Sequence, residues 1–250
     1  MAIMRVDVIS IFPQMCKAII QESILKRAQE KRIVKINICD LREYASDRHL
    51  TVDDYSYGGG AGMVLKPEPM FRAVEKIAGA GKKRSKVRII LLSPQGETFD
   101  EQKAKELSRE KHLVFICGHY EGVDERVKEN LVTDELSIVD YVLTGGELPA
   151  MVIIDSLVRL LPGVLNKKES FENDSFYQGL LDYPHYTRPR RFKGKSVPDI
   201  LLSGDHERIR RWRREKALEN TLNKRPDLLG KIRLSPEDEK VLKELTKRRK

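Results

Sequence analysis

Two short runs of almost unbroken apolar residues, Val87 to Leu92 and Leu113 to Cys117, constrain the fold of this chain more than any other feature. A strand with one face in water alternates apolar and polar side chains, whereas a continuous apolar run bounded by turn signals reads as a strand covered on both faces. Such strands belong to parallel sheets, whose neighbours must be joined by long crossovers, usually helices. Helical stretches stand in the right places. Arg5 to Phe12 alternates as a strand, and Pro13 then opens a stretch in which Met15, Ile19, Ile20, Ile24 and Leu25 fall at helical spacing. Asp100 to Arg109, Val123 to Asn130 and Glu147 to Leu160 are further helical segments. Strands alternating with helices predict an α/β domain with a largely parallel sheet.

Three breaks interrupt the pattern: the polar stretch Gly79 to Ser85, the tract Pro162 to Asn173, and Pro184 to Pro198. The second reads as an interdomain linker, so the expected division is a body over 1–160, a linker over 161–175 and a small helical domain over 176–250. In that last part Asp205 to Asn220 carries Arg208, Arg210, Arg211, Arg213 and Arg214 around Trp212. A final helix begins at Ser235-Pro236-Glu237-Asp238, where a serine N-cap, a proline at the first helical position and an acid three residues on agree. The net charge of +9 is concentrated at this end: 188–250 hold 21 Lys and Arg against 10 Asp and Glu. That asymmetry fits either a polyanion-binding module or a solvated lysine-rich helical surface.

Composition excludes several classes. No run reaches the 18 or so apolar residues of a membrane span, and Met1 to Ile11 lacks the basic-then-apolar order of a signal peptide, so a soluble cytoplasmic protein is expected. Cys16, Cys39 and Cys117 are isolated and odd in number, which argues for reduced thiols over a disulfide framework or a structural zinc site. No metal-ligand spacing stands out and no metal-binding residue is assigned; a requirement for magnesium stays open, with no spacing that compels it.

Four glycine- or proline-rich turns are candidates for ligand contact. Gly58-Gly59-Gly60-Ala61-Gly62 lets the backbone approach a ligand closely, yet it is neither a P-loop nor a dinucleotide fingerprint. Leu92 to Gly96, Cys117 to Gly122 and Leu143 to Pro149 stand at or beyond the ends of expected strands, where open α/β sheets bind ligands. Each alone is an ordinary turn; together they suggest one cleft. A fifth cluster, Asn173 to Phe176 with Leu181 to Pro189, joins carboxylates, a histidine, aromatics and an arginine, a setting for stacking a nucleobase and exchanging a proton. Asp174 could equally cap the turn to Phe176, and His185 could pack under Tyr186.

The chain resembles the bacterial tRNA (guanine-N1)-methyltransferases of the SPOUT superfamily over nearly its whole length. The resemblance is carried by RVDVISIFP (5–13), YGGGAGMVLKPEP (57–69), LLSPQGETF (91–99), CGHYEGVDERV (117–127), ELSIVDYVLTGGELPAM (135–151), LVRLLPGVL (157–165), DSFYQGLLDYPHYTRP (174–189) and LLSGDHERIRRWRR (201–214). It departs from the family at His119, where arginine is common, at Ala61, where proline is common, and at Val139, where glycine is frequent. The resemblance implies a parallel-sheet SPOUT-type domain with a deep C-terminal trefoil knot, followed by a small all-α domain. It also implies a homodimer with active sites at the subunit interface, S-adenosylmethionine as methyl donor, and the anticodon stem-loop of tRNA as partner, methylated at guanosine 37.

By the same resemblance the cofactor is held by Leu91, Leu92, Ser93 and Pro94, then by Gly118, Tyr120 and Glu121. Ser137, Ile138, Val139, Asp140, Tyr141, Leu143, Gly145, Gly146 and Pro149 complete that set. Gly59, Gly60, Asp182, His185, Arg208, Arg211 and Arg214 are expected at the RNA. Asp174 matches the family's base and Arg159 its arginine before the linker. The chemistry asks for both: guanine N1 carries a proton that a base must remove, and the charge that then moves onto O6 calls for a fixed guanidinium. An aspartate in water is a weak base, so exclusion of water on substrate binding would help it. Glu121 and Asp182 could orient Arg159, bind the cofactor's amino group, or form plain salt bridges. Two other classes fit less well: a non-catalytic RNA-binding protein, disfavoured by intact Asp174 and Arg159, and a nucleotide-cofactor enzyme, disfavoured by the missing phosphate-loop lysine and dinucleotide fingerprint.

Overall fold

The computed structural model describes residues 3–79, 86–165 and 169–248; all but the first residue of the expected break 79–85, and the middle of the expected linker, 166–168, lie outside the described residues. The chain divides into two compact units, Met1–Lys167 and Lys168–Lys250. The first runs β1 (Met4–Ser10), α1 (Pro13–Ile20), α2 (Ser23–Glu30), β2 (Val34–Asp40), a 3₁₀ turn (Leu41–Tyr44), the short strands β3 (Asp53–Asp54) and β4 (Val64–Leu65), then α3 (Pro67–Ala78) and β5 (Arg88–Thr98). It continues through α4 (Glu101–Leu107), β6 (His112–Cys117), α5 (Glu125–Leu131), β7 (Asp134–Ser137) and α6 (Glu147–Val158).

Five of these strands form one sheet in the order β2-β1-β6-β5-β7, and every pairing in it is parallel. The reason is visible in β6. Leu113, Phe115 and Cys117 face one core with residues of α1, α2, α4 and α6, while Val114 and Ile116 face a second core with residues of α3 and α5. All five are buried, and burying a side chain of this size contributes about 1.5–3 kcal/mol. Both faces of the strand are therefore committed to helices.

Two local expectations change. The stretch from Met15 to Leu25 is not one helix: it breaks after Ile20 and restarts at Ser23, whose φ is +48°, so that Leu25 and Ala28 pack inward while Met15 and Ile19 stay exposed. Leu92 to Gly96 is not a simple turn either. β5 runs through it, with Leu92 and Glu97 both opposite Leu136 of β7, so the residues between them bulge out of the ladder. Pro94 has no N–H to give to a ladder, which makes this the place where pairing is interrupted.

The second unit contains α7 (Glu169–Glu172), β8 (Arg191–Phe192), β9 (Lys195–Ser196), a 3₁₀ turn (Asp199–Leu202), α8 (His206–Lys224), a second 3₁₀ turn (Pro226–Lys231) and α9 (Pro236–Arg248). Helix α7 falls inside the stretch expected to be linker. The domain is also not purely helical, because β8 and β9 pair as an antiparallel hairpin. Lys193 and Gly194 at its tip have φ of +47° and +79°, the two positive values of a type I′ turn, whose twist matches a two-residue hairpin.

Helices α8 and α9 enclose a small core of Leu180, Ala217, Leu218 and Leu245. The start of α9 is capped as its sequence predicts: the Asp238 N–H donates to Ser235 Oγ and the Ser235 N–H to Asp238 Oδ2, both at 3.1 Å. Arg214 of α8 completes the arrangement, donating to both oxygens of the buried Asp238 carboxylate at 2.8 Å. The Arg214 guanidinium and the Ser235 donors hold the Asp238 carboxyl down at about 2. Its proton is thus bound less tightly in the folded state than in the unfolded chain. The resulting stabilisation, about 2 kcal/mol, is full above the ordinary aspartate pKa near 4 and is lost as pH falls toward 2. Asp238→Ala is expected to destabilise this unit by about 2–3 kcal/mol at neutral pH and to flatten the acid limb of stability. Urea unfolding between pH 2 and 7, followed by the fluorescence of the one tryptophan, Trp212 on α8, measures both.

Candidate active site

A cavity of about 400 Å³ opens at the bulge in the middle of β5 and at the carboxyl ends of β6 and β7. Three segments wall it. The first is the bulge of β5, with Leu91, Leu92, Ser93 and Pro94; the second is the turn after β6, with Gly118, Tyr120 and Glu121; the third follows β7, with Ser137, Ile138, Val139, Tyr141, Leu143, Gly145, Gly146 and Pro149. These segments are separated along the chain by α4 with most of β6 and by α5 with β7, and the parallel sheet brings them to one edge. Asp140, expected with them, is exposed in the turn closed by the Tyr141 N–H to Val139 C=O bond (2.9 Å) and does not line the cavity. Gln95, His119, Glu125, Lys128, Glu135 and Thr144 line it although the motifs did not single them out as contacts. Lys128 lies 3.4 Å from Glu135 and 3.7 Å from Glu125.

The segments lock together through main-chain contacts. The Gly146 N–H donates to the Gly118 C=O at 2.8 Å, and His119 and Gly145 form an antiparallel bridge. Gly146 must be glycine for this approach, since a Cβ there would lie 2.7 Å from Cys117 Cα. The glycine loop joins the same assembly. Gly58, Gly59, Gly60 and Gly62 all have φ between +80° and +118°, a region disfavoured for other residues. A Cβ on Gly62 would lie 2.6 Å from Glu121 Oε1, and the Glu121 N–H donates to the Met63 C=O at 3.0 Å, so the loop leans on the Gly118–Gly122 turn. Gly59 and Gly60 are exposed.

Beneath this layer Glu147 is buried at the first turn of α6 and accepts a bond from Ser10 Oγ at 2.6 Å. Burial, reinforced by the Glu147 carboxylate, pushes the Cys16 thiol up to about 11 and the Cys117 thiol well above its ordinary value. These thiols stay protonated and serve as apolar filler. His119 packs between Phe12 and Tyr120, with ring centroids 4.9 and 4.6 Å away, and its Nδ1 is buried without a hydrogen-bond partner. Burial and the Asp53 carboxylate raise the Tyr120 phenol.

Arg159 follows α6 as its C-cap residue, where a cation complements the partial negative charge of a helix end. The second unit holds its own groove of about 580 Å³, lined among others by Asp174, Asp182, Tyr183, Arg210 and Arg213. Here the Arg213 guanidinium sits 4.9 Å over the Tyr183 ring, and His185 lies 4.7 Å from the same ring while its Nε2 is 2.7 Å from Asp182 Oδ2. Burial raises the Tyr183 phenol, opposed by Arg213 and assisted by the carboxylates of Asp182 and Asp174. His185 therefore packs on Tyr183 and not under Tyr186.

The arginines of α8 divide. Arg208, Arg210, Arg211 and Arg213 are exposed, with Arg211 paired to Glu207 one turn earlier. Arg214, expected at the RNA, is half-buried and engaged with Asp238, so its first role is to hold α9 to α8. Among the described residues no group of three or more His, Cys, Asp or Glu is arranged to hold a metal ion.

The family described as tRNA (guanine-1)-methyltransferase TrmD matches residues 4–231. The chain is 57% identical over 245 residues to the tRNA (guanine-N(1)-)-methyltransferase of Moorella thermoacetica, covering 98% of each chain. It is 56% identical to that of Dictyoglomus turgidum, covering 98% of this chain and 97% of the relative. Against that of Geobacillus kaustophilus the identity is 57%, over 98% of this chain and all of the relative.

Proposed function

The chain belongs to the tRNA (guanine-1)-methyltransferase family, and on that premise we propose that it transfers the methyl group of S-adenosylmethionine to N1 of guanosine 37 of tRNA, beside the anticodon. The observation that carries the reading is the cavity at the strand ends, because its lining suits this donor. Leu92, Pro94, Ile138, Leu143 and Pro149 offer apolar faces to a purine, while Gly118, Gly145 and Gly146 leave main-chain groups uncovered by side chains. Glu121, Glu125 and Glu135 outnumber Lys128 on the wall, which favours a ligand carrying a sulfonium and an ammonium. When bound, S-adenosylmethionine supplies an electrophilic methyl group.

The chain's own residues supply the rest. Asp174 takes the proton from guanine N1, so that the ring nitrogen gains an available lone pair. The Arg159 guanidinium steadies the charge that moves onto O6. Gly59 and Gly60 in the exposed loop, and Asp182 with His185, are assigned to the RNA. Arg208, Arg210, Arg211 and Arg213 on α8 face its phosphates; each phosphate neutralised releases counterions, and binding should weaken with salt.

Three finer points belong to the same reading. After β7 at the sheet edge, the chain returns to set Gly145 and Gly146 against the turn after β6, on the far side of β5, which supports a trefoil knot. Phe12, Met15 and Ile19 near α1, with Leu148 and Val152 of α6, expose an apolar face that a second copy of the chain would cover, which supports a homodimer. No helix among the described residues is long and apolar enough to cross a membrane, and we place the enzyme in the cytoplasm with its tRNA.

The test is to incubate the protein with methyl-labelled S-adenosylmethionine and tRNA transcripts that differ only at the base following the anticodon. Label on N1 of a guanosine at that position, and none when the guanosine is replaced, is the expected result. Transfer to no guanosine would end the reading.

A further inference from the structure

The loop that carries Asp174 is fastened to α8 by a chain of side-chain hydrogen bonds, and we infer that Ser175, Asn220 and Thr221 are positioning residues for Asp174. The inference rests on Asp174 being the base proposed above. Thr221 is fully buried, and its hydroxyl accepts the Leu181 N–H at 2.9 Å while donating to the Ala217 C=O at 2.7 Å. Its neighbour Asn220 donates from Nδ2 to the Asp182 C=O at 2.8 Å. The Asp182 N–H in turn donates to Ser175 Oγ at 2.9 Å. Two consecutive residues of the helix thus hold two consecutive residues of the loop, and the second of these holds the residue next to Asp174.

The loop is closed on itself as well. The Phe176 N–H donates to the Leu180 C=O at 2.7 Å and the Gly179 N–H to the Phe176 C=O at 2.9 Å, with Phe176 at φ +73°. Gly179 presses against Ile232 so closely that a Cβ there would collide with its Cγ2. A hydroxyl on a helix interior that bonds back to the preceding turn does not favour the helix, and valine would fill the same space. Thr221 makes sense at this position through the Leu181 N–H that it satisfies. The same helix carries Arg208, Arg210, Arg211 and Arg213 on its exposed side. The element proposed to meet the phosphates is thereby the element that sets where Asp174 stands, and RNA grip and base placement share one rigid body.

The experiment compares Thr221→Val, Ser175→Ala and the conservative Thr221→Ser, each alone and in an Asp174→Asn background, in the full-length protein. Single-turnover methyl transfer is read at saturating tRNA and S-adenosylmethionine, alongside equilibrium binding of each. Thr221→Val and Ser175→Ala should slow transfer about 10- to 100-fold, the size of effect that a misplacement near 1 Å produces, with both affinities within about threefold of wild type. Thr221→Ser should stay near wild type. In the Asp174→Asn background neither substitution should add a further loss, because residues that act through one group do not act independently. Ser175→Ala leaves the buried Thr221 untouched, so the test survives if Thr221→Val fails to fold. Wild-type rates in Ser175→Ala and in folded Thr221→Val, or a full additional loss in the Asp174→Asn background, would overturn the positioning role. Full activity of Asp174→Asn itself would instead remove the base assignment beneath it.

Discussion

Asp174→Asn is expected to bind tRNA and S-adenosylmethionine as the wild type does and to transfer methyl about 10²- to 10⁴-fold more slowly, the usual contribution of a positioned general base. Asparagine preserves the size of the side chain and most of its hydrogen-bonding geometry, so the loop from 174 to 183, held by Ser175 and by α8, should keep its shape. What disappears is the capacity to accept a proton from N1. Single-turnover kinetics with both substrates saturating isolates that step, and tRNA affinity measured in parallel reports whether the loop survived. A rate within about threefold of wild type would remove Asp174 from the chemistry and transfer the role of base to another group, with Asp182 in the same groove the first to examine.

Gly96→Ala is expected to give the largest loss of structure from a single added methyl group. A Cβ at Gly96 would lie 2.5 and 2.6 Å from the Glu135 carbonyl carbon and oxygen and closer still to the Leu136 amide, all main-chain atoms of β7 that no rotamer change can move aside. The strands must separate. Overpacking of this kind costs about 1–3 kcal/mol or more, and here it acts on two walls of the cavity at once, because β5 supplies Ser93 and Pro94 and β7 leads into Ser137 and Ile138. Thermal unfolding should show the destabilisation, and calorimetric titration with S-adenosylmethionine should show an affinity reduced at least tenfold. Wild-type binding by a stable Gly96→Ala protein would mean that the β5–β7 spacing does not shape the site.

The sheet was legible where strands are buried on both faces and hidden where they are short or at an edge. β6 and the first half of β5 stand out as apolar runs because both faces meet helices. β2 escaped notice because it is an edge strand, its sequence VKINICD mixing Lys35, Asn37 and Asp40 with apolar residues. β7 has only four residues, below the length at which alternation can be recognised. Helix α3 was not anticipated; its first turn holds Pro67 and Pro69, residues that suit only the start of a helix, where no intrahelical N–H is needed.

The site divides the same way. The glycine and proline segments at the bulge of β5 and after β6 and β7 announced a cleft, since crevices beyond strand ends are where α/β sheets bind ligands. Glu125, Lys128 and Glu135 did not, because a charged residue on a short helix or strand looks like an ordinary solvated face until the fold turns it toward a cavity. The ion pair of Arg214 was hidden for a different reason. In the sequence it is one of five arginines in seven residues, and only the position of Asp238, 24 residues later, separates it from its neighbours.

The strand order carries a consequence for how the chain is made. β6 lies between β1 and β5, yet it follows both of them in the sequence. A growing chain can pair β1 with β2 early, but the other side of β1 and the partner side of β5 stay open until β6 has emerged from the ribosome and can insert. Over that interval two apolar strands present unpaired edges, the form in which nascent proteins most readily associate with one another. A pause after β5 has left the ribosome and before β6 has done so would lengthen that exposure, and slowing translation there should lower the yield of soluble protein.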